Sequence, residues 1–274
     1  MSPVHAAVLA PPSPPVRVAE RSFTVAACAV QHRGDRPEQQ DRVAILRSRH
    51  ATRSVLGLLA DGVGGRSGGA LAASQVIATA QRRFDTFQDE GDPQRFFLDL
   101  VAELHVVLQI AGATAALDPH STLAAVMVSP ERVDWCHVGD SRVYHLRNGR
   151  VRQRTTDDTY SEQLIRTGRA SEDRARLHPA GDRLTQVLGG AREPTPSIST
   201  LYSPRAGDSF LLASDGAWRD LSDVDIAQAI VAGTAPRDAL GTLLEQARTR
   251  AHGQGDNCSM VLLSLVAAGP AKSA

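Results

Sequence analysis

An α+β layered sandwich is the fold class that this sequence predicts, on three observations. Short apolar runs rich in Val, Leu and Ala recur at residues 23–30, 42–47, 54–60, 123–128, 132–138, 142–147, 209–213 and 259–266, each the length of a strand. Several neighbours are joined by only a few residues of turn chemistry, as in "SPERV" at 129–133 and "RNGR" at 147–150. The second carries the Asn-Gly pair of tight hairpins, so pairing is expected to be antiparallel. Helical periodicity is grouped between the blocks of hairpins rather than alternating with single strands, which argues against a doubly wound parallel sheet.

Each element has a local reason. Residues 1–20, with "APPSPPVRV" at 10–18, read as a disordered arm: Pro density opposes regular structure, and the basic start and apolar run of a signal peptide are missing. The chain has 274 residues, 42% of them hydrophobic, enough for one domain with a real core over 21–267, followed by a tail at 268–274. Helices are expected at 70–84 ("ALAASQVIATAQRRF"), 94–111, 223–231 and 236–251, the third opened by a Ser222–Asp225 capping pair. Residues 159–180, polar and Arg-rich, read as a mobile excursion.

Composition removes several function classes. Lys plus Arg and Asp plus Glu balance at 30 each, and aromatics make up only 4%, so nucleic acid finds neither a basic field nor a stacking platform. Uninterrupted apolar runs such as 55–60 and 260–265 are strand-sized, short of the roughly 20 residues that span a bilayer, and no membrane partner is expected. Cys28, Cys136 and Cys258 are far apart and flanked by small or apolar residues, which fits buried reduced thiols in a cytoplasmic protein. No long amphipathic seam is left over, so a monomer is expected.

Chemistry concentrates where apolar runs end in acids. "LLADG" at 58–62 returns as "LLASDG" at 211–216, and each Asp-Gly leads into a loop and a helix instead of a partner strand, although Asp-Gly is also a favoured hairpin centre. Asp140 in "HVGDSRVY", Asp256 in "GQGDNCSMVLL" and Asp41 in "RPEQQDRVAIL" also stand at strand ends. Clustered carboxylates repel unless cations neutralise them, and hard oxygen ligands select Mg2+ or Mn2+. Arg36, five residues before Asp41, is suited to bidentate contact with a phosphoryl group. The Gly-rich loop after Asp61 lacks the Lys-Ser or Lys-Thr of a Walker loop, and Ser67 breaks the dinucleotide spacing.

Six stretches together resemble the metal-dependent protein phosphatase family, of the protein phosphatase 2C type, in order from about Phe23 to Val266. "GDRPEQQD" (34–41), "ADGVGGRSGG" (60–69), "STLAAVMV" (121–128), "HVGDSRVYHLRNGRVRQRTTDD" (137–158), "LASDGAW" (212–218) and "GDNCSMVLL" (255–263) are similar to its successive motifs. The resemblance implies a four-layer α-β-β-α sandwich of two antiparallel sheets flanked by helices, and hydrolysis of phosphoserine and phosphothreonine in proteins. Carried over by position, Asp61 bridges two Mn2+ or Mg2+ ions, with the Gly62 carbonyl on one and Asp215 and Asp256 on the other. Arg36 then holds the phosphoryl oxygens, Asp41 acts through a water, and Asn257 and Asp140 support the ligands. Residues 158–182 resemble the flap of bacterial members, and a cognate Ser/Thr kinase pathway is implied.

Departures from the family pattern carry their own expectations. Gln40 replaces the usual acid before Asp41, Arg66 a common His, Ala70 a common Glu, and Asp158 a common His. Arg219 stands where an Asp near a third metal is often found, while Asp157 remains as the candidate for that third ion. The alternatives are a non-catalytic phosphoprotein-binding relative with weakened metal sites, a different two-metal hydrolase such as a nuclease, and a phosphatase confined to one regulatory partner.

Overall fold

The computed structural model describes residues 8–9, 23–48, 50–51, 53–63 and 68–268. Two antiparallel sheets face each other. The first has the order β1 (Val8–Leu9), β2 (Phe23–His32), β11 (Cys258–Ala267), β10 (Asp208–Ala213), β7 (Arg142–Arg147), β8 (Val151–Arg154). The second has the order β3 (Asp41–Leu46), β4 (Val55–Asp61), β5 (Leu123–Val128), β6 (Arg132–Val138), β9 (Ser197–Tyr202). Helices α1 (Gly69–Asp85) and α2 (Pro93–Ala115) cover the second sheet, while α5 (Asp215–Trp218), α6 (Asp223–Ala229) and α7 (Pro236–Arg250) cover the first. The four layers are those the resemblance implied.

The central strands read as unbroken apolar runs because both of their faces are buried. On β5, Ala124, Val126 and Val128 point into the core between the sheets, while Leu123, Ala125 and Met127 pack under α1 and α2. On β2, Phe23, Val25, Ala27 and Ala29 face inward, and Cys28 and Val30 meet α7's layer. Period-two alternation therefore separates two cores rather than core from solvent. Each fully buried Leu, Val or Phe contributes about 1.5–3 kcal/mol relative to exposure.

The structure departs from expectation at the edges. Strands β8 and β9, which were not foreseen, are sheet edges with mixed or exposed side chains, "VRQR" and "SISTLY", and so lack an apolar run. Of the expected disordered arm, Val8 and Leu9 form a short strand on β2 (Val8↔Gln31, Leu9↔Val30), and the rest of 1–20 lies outside the described residues. The tail beyond residue 268 is likewise outside them. The capping pair opens α6 as expected: Asp225 N donates to Ser222 Oγ at 3.2 Å, and Ser222 N donates to Asp225 Oδ2 at 2.8 Å.

Helix α2 bears on two expectations without deciding either the membrane or the oligomeric state. It is long and apolar enough to cross a membrane by length and composition, a property hidden from a search for uninterrupted runs because Asp99, Glu103 and Gln109 punctuate it. Its inner face, with Phe96, Phe97, Leu100, Leu104 and Leu108, lies in the core under α1. Its outer face leaves Leu98, Val106 and Ile110 exposed at multiples of four residues, so an apolar seam does remain.

The excursion after β8 is folded. Thr159 caps α3 (Tyr160–Arg166), α4 (Glu172–Arg176) follows, and Leu164 and Ala175 are buried. Its two roots are tied together and to the β6–β7 turn, through Asp158 N to Gly139 O at 2.8 Å, Thr185 N to Asp158 O at 2.7 Å and Tyr160 N to Arg183 O at 2.9 Å.

Candidate active site

Register puts the first two acids side by side: Asp41 opens β3, Asp61 closes β4, and the two are direct cross-strand partners. The Asp61 peptide is fixed on both sides, its N–H donating to Thr122 Oγ1 at 3.1 Å and its carbonyl accepting from Thr122 N at 2.9 Å and Ser121 Oγ at 3.1 Å. Thr122 in turn meets Ser141 at 2.7 Å, which carries the linkage to the turn that presents Asp140. That turn needs Gly139, whose φ is +96°. Asp140 is also held from the first sheet, because its carbonyl accepts Trp218 Nε1–H of α5 at 2.9 Å.

Asp215 is the first residue of α5, directly after β10, and Asp256 precedes β11, its neighbour in the sheet. Asn257 fastens the loop at 33–40 across this end of the sandwich. Its Nδ2 donates to Arg33 O at 2.8 Å and Glu38 O at 2.9 Å, and its Oδ1 accepts from Gln40 N at 2.7 Å. Asp35 adds a second tie, its carboxylate accepting from Gly255 N at 2.8 Å. A cavity of about 490 Å³ opens here, lined by Arg36, Asp61, Asp140, Asp215, Arg219 and Asp256 among others.

The electrostatics are those of an acid cluster short of positive charge. Burial, reinforced by Asp215 and Asp256, pushes the Asp41 carboxyl up to about 7, against the nearby Ser259 and Ser214 hydroxyls. Burial together with Asp215 and Asp157 pushes Asp140 up to about 7 as well, with Arg219 acting in the opposite direction. Asp61 is raised by burial and then by Asp41, Asp215 and Asp140. Asp215 is raised by burial, with Arg219 offsetting part of it. Such a cluster holds protons on some members at neutral pH or takes up cations from solution.

The donor set suits a hard cation. Among the described residues no donor meets either buried carboxylate oxygen of Asp41 in good hydrogen-bond geometry, the Ser214 and Ser259 hydroxyls standing only nearby, a costly arrangement that an incoming ion or its water relieves. Gly62 leaves its backbone bare beside the acids: a Cβ there would come within 2.2 Å of Gly69 O and 2.9 Å of Gln40 O. Among the described residues no three His, Cys, Asp or Glu side chains already grip one point. That fits ions which keep several waters and share their shell with substrate oxygens.

Most of the predicted residues come together. Asp61, Gly62, Asp140, Asp215, Asp256 and Asn257 line the cavity, and Asp41 lies buried beside Asp61 instead of on the wall. Arg36 is on the wall with 54% of its side chain exposed, and its Nη2 is 2.6 Å from Asp256 Oδ2, so a guanidinium stands on one of the acids expected to hold metal. Asp157 departs from expectation as a third-ion ligand. Arg142 takes both of its oxygens, at 2.8 and 2.7 Å, and Asp157 lies on a neighbouring cleft rather than the main cavity. Asp158 spends its carboxylate on Gly139 N and Gln186 Nε2, at 3.0 and 2.9 Å. Arg66 lies outside the described residues.

Asp182 was not singled out. It reaches the cavity lip from the end of the flap and accepts a hydrogen bond from Arg219 Nη1 at 2.9 Å. "HPAGDRL" offers a Gly-Asp pair like the others, but nothing there fixes where the flap returns.

A family profile described as Protein phosphatase 2C matches residues 29–249. The serine/threonine protein phosphatase PstP of Mycobacterium tuberculosis is 34% identical over 181 residues, 63% of this chain and 33% of PstP, so the chain spans about a third of that protein's length. Protein phosphatase PhpP of Streptococcus pneumoniae is 26% identical over 213 residues, 76% of this chain and 85% of PhpP. A crystal structure of the PstP catalytic domain in complex with two manganese ions superimposes with a TM-score of 0.74 at 28% identity, covering 89% of this chain and 99% of that one.

Proposed function

The chain belongs to the protein phosphatase 2C family, and from that premise we propose that it hydrolyses phosphoserine and phosphothreonine in proteins, with two divalent cations, Mn2+ or Mg2+, at the acid cluster. Asp61, the Gly62 carbonyl, Asp215 and Asp256 are the residues that would hold them. The observation that carries this reading is the pair of buried, unpartnered Asp41 oxygens amid Asp61, Asp215 and Asp256, beside a cavity wide enough for a phosphorylated side chain.

Cations bound there supply a nucleophilic water near neutral pH and positive charge against the phosphoryl oxygens. The chain's own residues do the rest. Arg36 releases Asp256 when that acid is neutralised, which frees its fork for two phosphoryl oxygens. Asp41 offers two acceptor positions that orient water toward phosphorus. Asn257 holds Arg36's loop at a fixed distance from the acids. Preorganised charge of this kind provides the largest share of such accelerations.

The same reading places a Ser/Thr kinase upstream, since that class of enzyme makes the substrates. Three buried, unpaired thiols support a reducing, cytoplasmic setting. The test is turnover of a phosphothreonine peptide with added Mn2+, repeated with EDTA and with Asp215→Asn. Turnover lost in both controls supports the proposal. Folded, Mn2+-loaded protein that turns over nothing overturns it in favour of a non-catalytic phosphoprotein-binding relative.

A further inference from the structure

The acid cluster is not uniformly short of positive charge. On the side of β3 and β4, no guanidinium among the described residues pairs with Asp41 or Asp61, and the Asp256 partner, Arg36, makes a single contact from a half-exposed position. On the flap side Asp157, Asp182 and Asp215 each have an arginine partner. Arg142 grips Asp157 with both forks while lying 3.3 Å over the Trp218 ring. Arg219 stands between two acids, its Nε 3.3 Å from Asp215 Oδ2 and its Nη1 2.9 Å from Asp182 Oδ2.

The position of Arg219 is as telling as its partners. The main cavity and the flap-side cleft of about 330 Å³ share three residues, Asp140, Asp182 and Arg219. Two carboxylates, those of Asp140 and Asp182, therefore border the junction, Asp215 stands on the main-cavity side within 3.3 Å of Arg219, and among the described residues Arg219 is the cationic side chain common to both cavities. Arg36 and Arg219 also differ in how firmly they are held. A lone exposed pair exchanges readily for another ion. An arginine bridging two carboxylates, with its guanidinium 5.5 Å from an aromatic centroid, does not leave so easily.

We propose that Arg219 is a tethered cation that fills the place a further divalent ion would take between Asp215, Asp140 and Asp182, so that the cluster accepts two ions and no third. The inference rests on the two-cation reading above and limits it: cations enter where Asp41 and Asp61 lack partners, and the flap side is already neutralised from within. Removing the charge of Arg219 leaves Asp215, Asp182 and Asp140 around the place of its guanidinium, a donor set of hard oxygens with room for water.

Equilibrium dialysis of the full chain against Mn2+ near neutral pH counts the ions directly, without reference to turnover. The wild type is expected to bind two. Arg219→Ala and Arg219→Gln should each bind one more, the Gln variant keeping the stem and a donor for Asp182 so that the test survives if Ala impairs folding. Arg219→Lys, which keeps the charge, should stay at two, and adding Asp182→Asn to the Gln variant should abolish the gain. Uncharged variants that bind as many ions as wild type overturn the inference alone, as does a wild type that already binds three. A wild type that binds none overturns the two-cation reading and this inference with it.

Discussion

The two ends of β10 carry buried carboxylates under opposite regimes. At its start, Asp208 is wholly buried and fully partnered: His145 Nε2 lies 3.0 Å away, the Arg147 guanidinium forks onto both oxygens, and Arg205 N donates at 3.0 Å. Burial alone would raise its pKa, but those donors override it and hold the carboxyl well below the usual range. Past the other end lie Asp215 and, buried near it, Asp41, where burial wins and both carboxyls are raised. One sheet thus treats an acid as internal structure at one end and leaves it short of counter-charge at the other. What separates them is whether the fold supplies the counter-charge.

The comparison breaks most visibly through activity. Asp215→Asn in Mn2+-loaded protein should cut turnover of a phosphothreonine peptide by at least about 10³-fold while leaving the metal-free melting temperature no lower than wild type. Asp208→Asn should do the converse. Removing one partner of a buried ion pair costs about 3–5 kcal/mol, and for a chain of this size each kcal/mol is worth about 2–4 °C in Tm. Denaturant melts would show the loss, with turnover of the folded protein near wild type. If Asp208→Asn abolishes turnover without lowering stability, the two ends are not separate in function.

Acidity sharpens the contrast, because the two shifts have opposite signs. Asp41, raised to about 7 from an unfolded value near 3.9, binds its proton more tightly in the folded chain. Metal-free stability therefore falls as pH rises from about 4 toward 7. Asp208, lowered, contributes stability that is present above its unfolded pKa and lost as pH falls through its folded one. Thermal melts in EDTA should peak in mildly acidic buffer. Added Mn2+ should stabilise more at neutral pH than at the peak, and Asp41→Asn should flatten the high-pH limb by a few °C.

Asp61, Asp140, Asp215 and Asp256 were legible because each sits beside Gly at the end of an apolar run, and Asp41 because it opens one, local patterns that survive without knowledge of the fold. Their convergence was legible too, since both sheets contribute strand ends to one side of the sandwich. The pairings were not. Arg142 meets Asp157 because the β7–β8 hairpin, with a register shift after His145, brings residues fifteen apart within a fork's reach. Asp182 reaches Arg219 through the path of two short helices that are polar but for Leu164, Ile165 and Ala175. Edge strands β8 and β9 were missed for a related reason: a strand half open to water has no apolar run to announce it. Short-range signals marked the acids, and long-range geometry decided which of them keep a partner.

The smallest predicted effect tests the joint between the loop and the acids. Asn257 offers no charge to the cavity, yet its amide makes three hydrogen bonds to residues 33, 38 and 40 and sets where Arg36 and Gln40 stand relative to Asp256. Asn257→Ala removes two donors and one acceptor at once, leaving the Arg33 and Glu38 carbonyls and the Gln40 N–H to find water. The acids proposed to hold the ions are untouched, so saturating Mn2+ should restore most of the turnover while the half-saturating concentration rises about 10–100-fold, the usual cost of losing a group that orients a ligand. Steady-state assays across a Mn2+ series separate the two quantities. Were turnover at saturation to fall as far as in Asp215→Asn, Asn257 would have to touch the substrate, and the division between acids that bind and an amide that positions them would fail at this residue.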